Sequence, residues 1–118
     1  MSRALALFHR DITRDWTIDL ITREVGLSRS ALADRFTRLI GVAPMHYFTN
    51  WRLQVAADKL RNTSASLAQI ADCVGYDSEA AFSRAFKRMF AVAPATWRRL
   101  GREVAPLRNP APKAASID

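Results

Sequence analysis

One pattern occurs twice in this chain, and no other feature limits its folding as strongly. Thr17, Ile18, Ile21, Val25 and Gly26 return 49 positions later as Ser66, Leu67, Ile70, Val74 and Gly75. Ser28, Leu32, Phe36, Arg38, Val42, Ala43, Pro44 and Tyr47 return 50 positions later as Ser78, Phe82, Phe86, Arg88, Val92, Ala93, Pro94 and Trp97. The step from 49 to 50 is one residue, Asp77, added between the glycine and the serine of the second copy. A repeat that matches glycines, prolines and capping residues as well as apolar positions specifies one supersecondary unit used twice.

Each copy reads as helix, tight turn, helix. Thr17 is a good N-cap, and Trp16 before it can staple against Ile21. Gly26 ends the short helix because glycine enters the left-handed conformation without a Cβ penalty. Ser28 caps the next helix, with Leu27 and Leu32 placed for a second staple. In the other copy Ser66 and Gln69 have capping-box spacing, Gly75 makes the turn, and Ser78 or Asp77 is the cap. Glycine turns this short make the two helices cross steeply, the helix-turn-helix arrangement.

Pro44 suits the first position of a helix, and no breaker follows until about Leu60. Met45, Phe48, Trp51, Val55 and Leu60 give this segment an apolar stripe, so a linker helix of about 25 Å is expected. An opening helix is expected over roughly Arg3 to Asp11 and a closing one from Pro94 to about Leu100. The result is an all-α fold of about seven helices. Its first unit covers about 3–43, the linker about 44–61, and the second unit about 62–100. Residues 101–118 are rich in Pro and Ala and read as a disordered tail.

Charge narrows the partners. Eighteen Lys and Arg against eleven Asp and Glu leave +7 on 118 residues, which makes nucleic acid the leading candidate partner. The lone cysteine, Cys73, excludes an intrachain disulfide and a cysteine metal site, and in its apolar helical stretch it reads as a small hydrophobe. No apolar run approaches the ~18 residues of a membrane span, nor the h-region of a signal peptide, so no membrane association is expected and the chain reads as cytoplasmic.

Helical periodicity separates core from working surface. On the helix from Ser28 to Ile40, Leu32, Phe36 and Leu39 form one face, and Ser30, Asp34, Thr37 and Arg38 the other, with Ala33 at its edge. On the helix from Ser78 to Phe90, Phe82, Phe86 and Met89 form the core stripe, and Ala80, Arg84, Lys87 and Arg88 lie opposite, with Ser83 at the edge. The second face is strongly cationic, whereas Asp34 offsets Arg38 on the first. The second helix of a helix-turn-helix enters the major groove, and its N-terminal half meets base edges. Arg can bond both guanine acceptors and Asp can accept from cytosine, whereas Lys87 and Arg88 suit phosphates.

The runs Gly26-Leu27-Ser28, Arg35-Phe36 and Gly41-Val42-Ala43-Pro44 with Tyr47, together with Val74-Gly75-Tyr76, Phe82-Ser83-Arg84-Ala85-Phe86-Lys87-Arg88 and Ala93-Pro94 with Trp97-Arg98, resemble the AraC/XylS regulators over about residues 3–100. The resemblance implies a seven-helix domain whose two helix-turn-helix units bind successive major grooves of double-stranded DNA. It implies transcriptional regulation, often activation through contact with RNA polymerase, and a separate sensing or dimerisation domain for which 118 residues leave no room. The base-reading positions it implies are Ser30, Ala33 and Asp34 in the first unit and Glu79, Ala80, Ser83 and Arg84 in the second. This chain departs from the family at Asp34, where many members carry Arg, at Ala91, where many carry Gly, and at Ala43 and Ala93, where many carry Ser. A left-handed Ala91 would cost on the order of 1 kcal/mol.

Two rivals remain. An enzyme would need chemistry that His9 and His46, isolated and outside any catalytic motif, do not supply, and no cofactor or metal is expected. A helical protein-interaction module without direct DNA reading would expose an apolar groove, where this repeat exposes charge and short polar side chains. RNA binding lacks an aromatic stacking platform, since Trp16, Trp51 and Trp97 fall where core or staple residues are expected.

Overall fold

The computed structural model describes residues 2–103, and among them there are seven helices and no strand. They are α1 (Ser2–Arg10), α2 (Ile18–Val25), α3 (Arg29–Ile40), α4 (Pro44–Asn62), α5 (Leu67–Cys73), α6 (Glu79–Phe90) and α7 (Pro94–Glu103). The chain divides into two compact units between Trp51 and Arg52, inside α4. Each half of the linker helix is therefore packed by its own unit.

Local chemistry places the helix ends. The Thr17, Ser28 and Ser78 hydroxyls accept from the amides of Leu20, Ala31 and Ala81, so each satisfies a donor that its helix leaves unpaired. Ser66 and Gln69 form the reciprocal capping box of α5. Of the two cap candidates before α6, Ser78 does the work and Asp77 does not. Gly26 ends α2 in the left-handed region at φ +75°, and Gly75 stands at φ +90° in the second turn.

In the first unit Phe8, fully buried on α1, is the hub. Its ring lies 6.4 Å from Trp16, 6.2 Å from Phe36 and 4.9 Å from Phe48, so one aromatic ties the opening helix to α3, α4 and the loop before α2. His9 and the Tyr47 hydroxyl share a hydrogen bond of 2.7 Å, and the His9 ring stands 4.5 Å from Trp51. His9 thus serves to hold α1 on α4. His46 is exposed.

In the second unit Phe82, Phe86, Ile70, Val74 and Leu60 are fully buried, each such side chain worth roughly 2–3 kcal/mol against exposure. Trp97 on α7 donates to the Ala57 carbonyl at 3.2 Å, and Arg98 donates to those of Leu60 and Thr63 at 2.9 and 3.2 Å. Arg98 thereby caps the C-terminal end of α4, whose last carbonyls have no helical partner.

Several expectations are corrected. Leu39 is 68% exposed and Met89 37% exposed, so neither belongs to the core stripe. Ile40 and Phe90 take those places; the Phe90 ring lies 4.5 Å from Phe86 and 4.8 Å from Trp97. After Phe36 or Phe86, a step of four residues turns the helix only about 40° from the stripe, whereas a step of three turns it about 60° the other way. On α4 the buried residues are Pro44, Tyr47 and Phe48 in the first unit and Leu53, Ala56, Ala57 and Leu60 in the second, while Met45, Trp51 and Val55 are half-buried. Cys73, at the end of α5, is exposed rather than packed.

The closing helix runs through Gly101 to Glu103 instead of stopping at Leu100. Arg61 lies across α7 there, its guanidinium 4.2 Å from the Trp97 ring centre, and a Cβ on Gly101 would meet Arg61 Cγ and Nε at 3.1 Å. A larger residue at 101 would require the Arg61 side chain to shift by a few tenths of an ångström. The rest of the expected disordered tail, 104–118, lies outside the described residues. No helix among the described residues is long and apolar enough to cross a membrane.

Candidate nucleic-acid interface

The second helix of each repeat, α3 or α6, buries its Phe-bearing stripe and turns the opposite side to solvent. On α3, Ser30, Asp34, Thr37 and Arg38 are exposed and Ala33 is half-buried at the edge. On α6, Glu79, Ala80, Arg84, Lys87 and Arg88 are exposed and Ser83 is half-buried. The candidates of α3 thus share one helix face, as do Ala80, Ser83, Arg84, Lys87 and Arg88 of α6, whereas Glu79, seven residues before the buried Phe86, stands at the start of α6 on the side of the apolar stripe. The N-terminal turns of both faces are built from short side chains, Ser30 and Ala33 or Ala80 and Ser83, which permit close approach by a ligand.

The two faces differ in charge. Arg38 donates to the Asp34 carboxylate one turn earlier, so the cation on α3 is paired within its own helix. Arg29, the first residue of α3, stands 3.5 Å from Asp19 of α2. On α6, Arg84, Lys87 and Arg88 form a cationic row without an acidic partner one turn away on that face.

The turn before α6 adds to this. Burial raises the Tyr76 phenol above its ordinary pKa, with Arg52 and Arg88 partly offsetting the rise. The phenol stays neutral at physiological pH, so it does not cancel those two positive charges. The Arg52 guanidinium stands 5.7 Å from the Tyr76 ring centre.

Arg29 and Arg52 are not among the residues that helical periodicity or the family resemblance singles out. Arg29 carried a usable signal, its place directly after the cap Ser28. Arg52 carried none, because its approach to Tyr76 bridges 24 residues and exists only in the folded unit. Among the described residues no group of three His, Cys, Asp or Glu side chains is placed to hold a metal ion.

Comparison with known proteins bears on this arrangement. Residues 21–100 match a family described as a helix-turn-helix domain. A protein of Streptomyces lividans described as an AraC-like transcription regulator is 43% identical over 99 residues, which are 84% of this chain and 33% of that protein. A transcriptional regulator with an AraC-type DNA-binding domain from Chromobacterium violaceum has a solved structure 31% identical to this chain. It superposes with a TM-score of 0.76 over 83% of this chain and 88% of its own. The DNA-binding domain of AdpA, solved in complex with a target DNA, superposes with a TM-score of 0.83 over 91% of this chain and 96% of its own; at 22% identity that likeness concerns the fold. The chain spans about a third of the length of the curated relatives it matches.

Proposed function

The chain belongs to the AraC family of helix-turn-helix transcriptional regulators, and from that membership we propose that it binds double-stranded DNA sequence-specifically as the DNA-reading part of such a regulator. The observation that carries this reading is the exposed face of α6. Small residues lead it, and Arg84, Lys87 and Arg88 follow in a row. In a major groove the leading residues allow the helix to approach the base edges, Arg84 reaches a guanine, and Lys87 and Arg88 bind phosphates.

Ser30, Ala33, Asp34, Thr37 and Arg38 present the equivalent surface of α3 to a second stretch of duplex, and on α6 Ala80 and Ser83 flank Arg84 while Glu79 stands at the first position of the helix. The finer parts of the proposal are action in the cytoplasm, activation through contact with RNA polymerase, and service alongside a separate sensing or dimerisation domain. A protein-interaction module is the weaker reading, because the outward face of α6 carries charge and short polar side chains rather than an apolar groove.

Selection of bound duplexes from a random pool, followed by titration of the selected site, tests the function. Affinity for that site should exceed affinity for scrambled duplex by at least 1,000-fold. It should fall by roughly 100-fold or more between 50 and 200 mM salt, as phosphate contacts release counterions. Equal affinity for all duplexes, or an affinity indifferent to salt, would show the reading to be wrong.

A further inference from the structure

Asp34 occupies on α3 the place that Arg84 occupies on α6, 50 positions later in the repeat. A carboxylate facing a duplex is repelled by phosphate, so its presence needs a compensating role. The structure supplies a partner: Arg38, four residues on, donates a guanidinium N–H to Asp34 Oδ2, with the two side chains 71% and 61% exposed. An exposed pair at this spacing adds little to the stability of a helix, so folding is a poor explanation for it.

Its geometric effect is larger. Arg38 springs from the last turn of α3, where side chains of a groove-bound helix meet the backbone. Helical side chains lean toward the N-terminus, and the pair holds the guanidinium back beside Asp34, one turn nearer the half of the helix that meets bases. One guanidinium nitrogen, Nη2, bonds the carboxylate. The remaining N–H groups lie in the same plane, because the guanidinium is itself planar, which suits the two acceptors of guanine, O6 and N7. Asp34 Oδ1, which the pair does not use, can accept from a cytosine amine.

We propose that Asp34 and Arg38 work as one base-reading couple. Arg38 determines specificity for a guanine in the half-site addressed by α3, and Asp34 is the positioning residue that aims it. This rests on the proposed DNA binding and assigns Arg38 to a base rather than to a phosphate.

The test titrates the 118-residue chain and its Arg38→Ala, Arg38→Lys, Asp34→Ala and double variants against the selected site and its single-base substitutions. Circular dichroism checks that each variant is folded. Arg38→Ala should cut the preference for one guanine by roughly 10- to 100-fold, and Arg38→Lys should not restore it. Asp34→Ala should relax the same base position by about 3- to 10-fold, and should add nothing in the Arg38→Ala background, since it acts through Arg38.

A uniform loss on all duplexes from Arg38→Ala, with the salt slope reduced by about one, would make Arg38 a phosphate anchor and overturn the couple. Tighter binding by Asp34→Ala with every base preference intact would overturn it too. Arg84→Ala separates the failures. If it relaxes a base in the other half-site while the α3 variants change no preference, only the couple fails. If the unaltered chain prefers no duplex, DNA reading fails with it.

Discussion

Ala91 ends α6 at φ +69°, the only positive φ at a non-glycine position among the described residues, whereas its counterpart Gly41 ends α3 at φ +99°. An L-residue there crowds its Cβ against the backbone at a cost of about 1–2 kcal/mol, part of which Ala recovers by restricting the unfolded chain. Ala91→Gly should therefore raise stability by about 0.5–1 kcal/mol in urea unfolding. Gly41→Ala should lower it by a similar amount through backbone strain alone, since nothing lies within 4 Å of the added Cβ. An unchanged midpoint in both would contradict the strain. At Arg84 the same scale concerns recognition. If Arg84 reads a guanine, truncation to Ala should lose about 1–3 kcal/mol on the selected site and little on duplex lacking that base, as fluorescence anisotropy would measure.

At the scale of the element, α3 and α6 share a design in which the stripe proceeds in steps of four: Leu32, Phe36, Ile40 and Phe82, Phe86, Phe90. Leu39 and Met89 stand beside it in solvent. Leu39→Ala should then change stability by no more than about 0.5 kcal/mol, while Ile40→Ala, half-buried, should cost about 1–2 kcal/mol, below the range for a fully buried side chain. Thermal unfolding of the pair decides this, and a larger loss at Leu39 would return it to the core. The helix ends follow a simpler rule. Thr17, Ser28, Ser66 and Ser78 were legible as caps because acceptor and amide lie three residues apart.

At the scale of the whole molecule, the chain carries +7 and two units with equivalent outward helices. If both read one duplex, the selected site should contain two half-sites about 10 bp apart centre to centre. Inserting five base pairs between them turns one half-site to the opposite face of the helix. Affinity should fall toward that of a single half-site, and restoring a full turn with ten should recover part of it. Binding indifferent to the insertion in gel-shift titrations would mean that each unit acts alone.

What the sequence determined by itself were the features whose atoms lie close along the chain. The caps, the glycine turns and the outward polar faces of α3 and α6 arise from relations within one or two helical turns, so spacing alone reveals them, and the repeat is legible because the same local features recur 49 and 50 residues later. Tertiary structure decided what depends on distant partners. Phe90 rather than Met89 enters the core because Trp97 of α7 closes over it. Trp97 and Arg98 are settled by carbonyls of α4 some 40 residues earlier, and Arg61 lies against Gly101 where α7 continues past Leu100. A stripe seen in one helix can continue three or four residues on with similar hydrophobic character. The step of four stays nearer the stripe, and the neighbour packed against it fills that side and leaves the other to water.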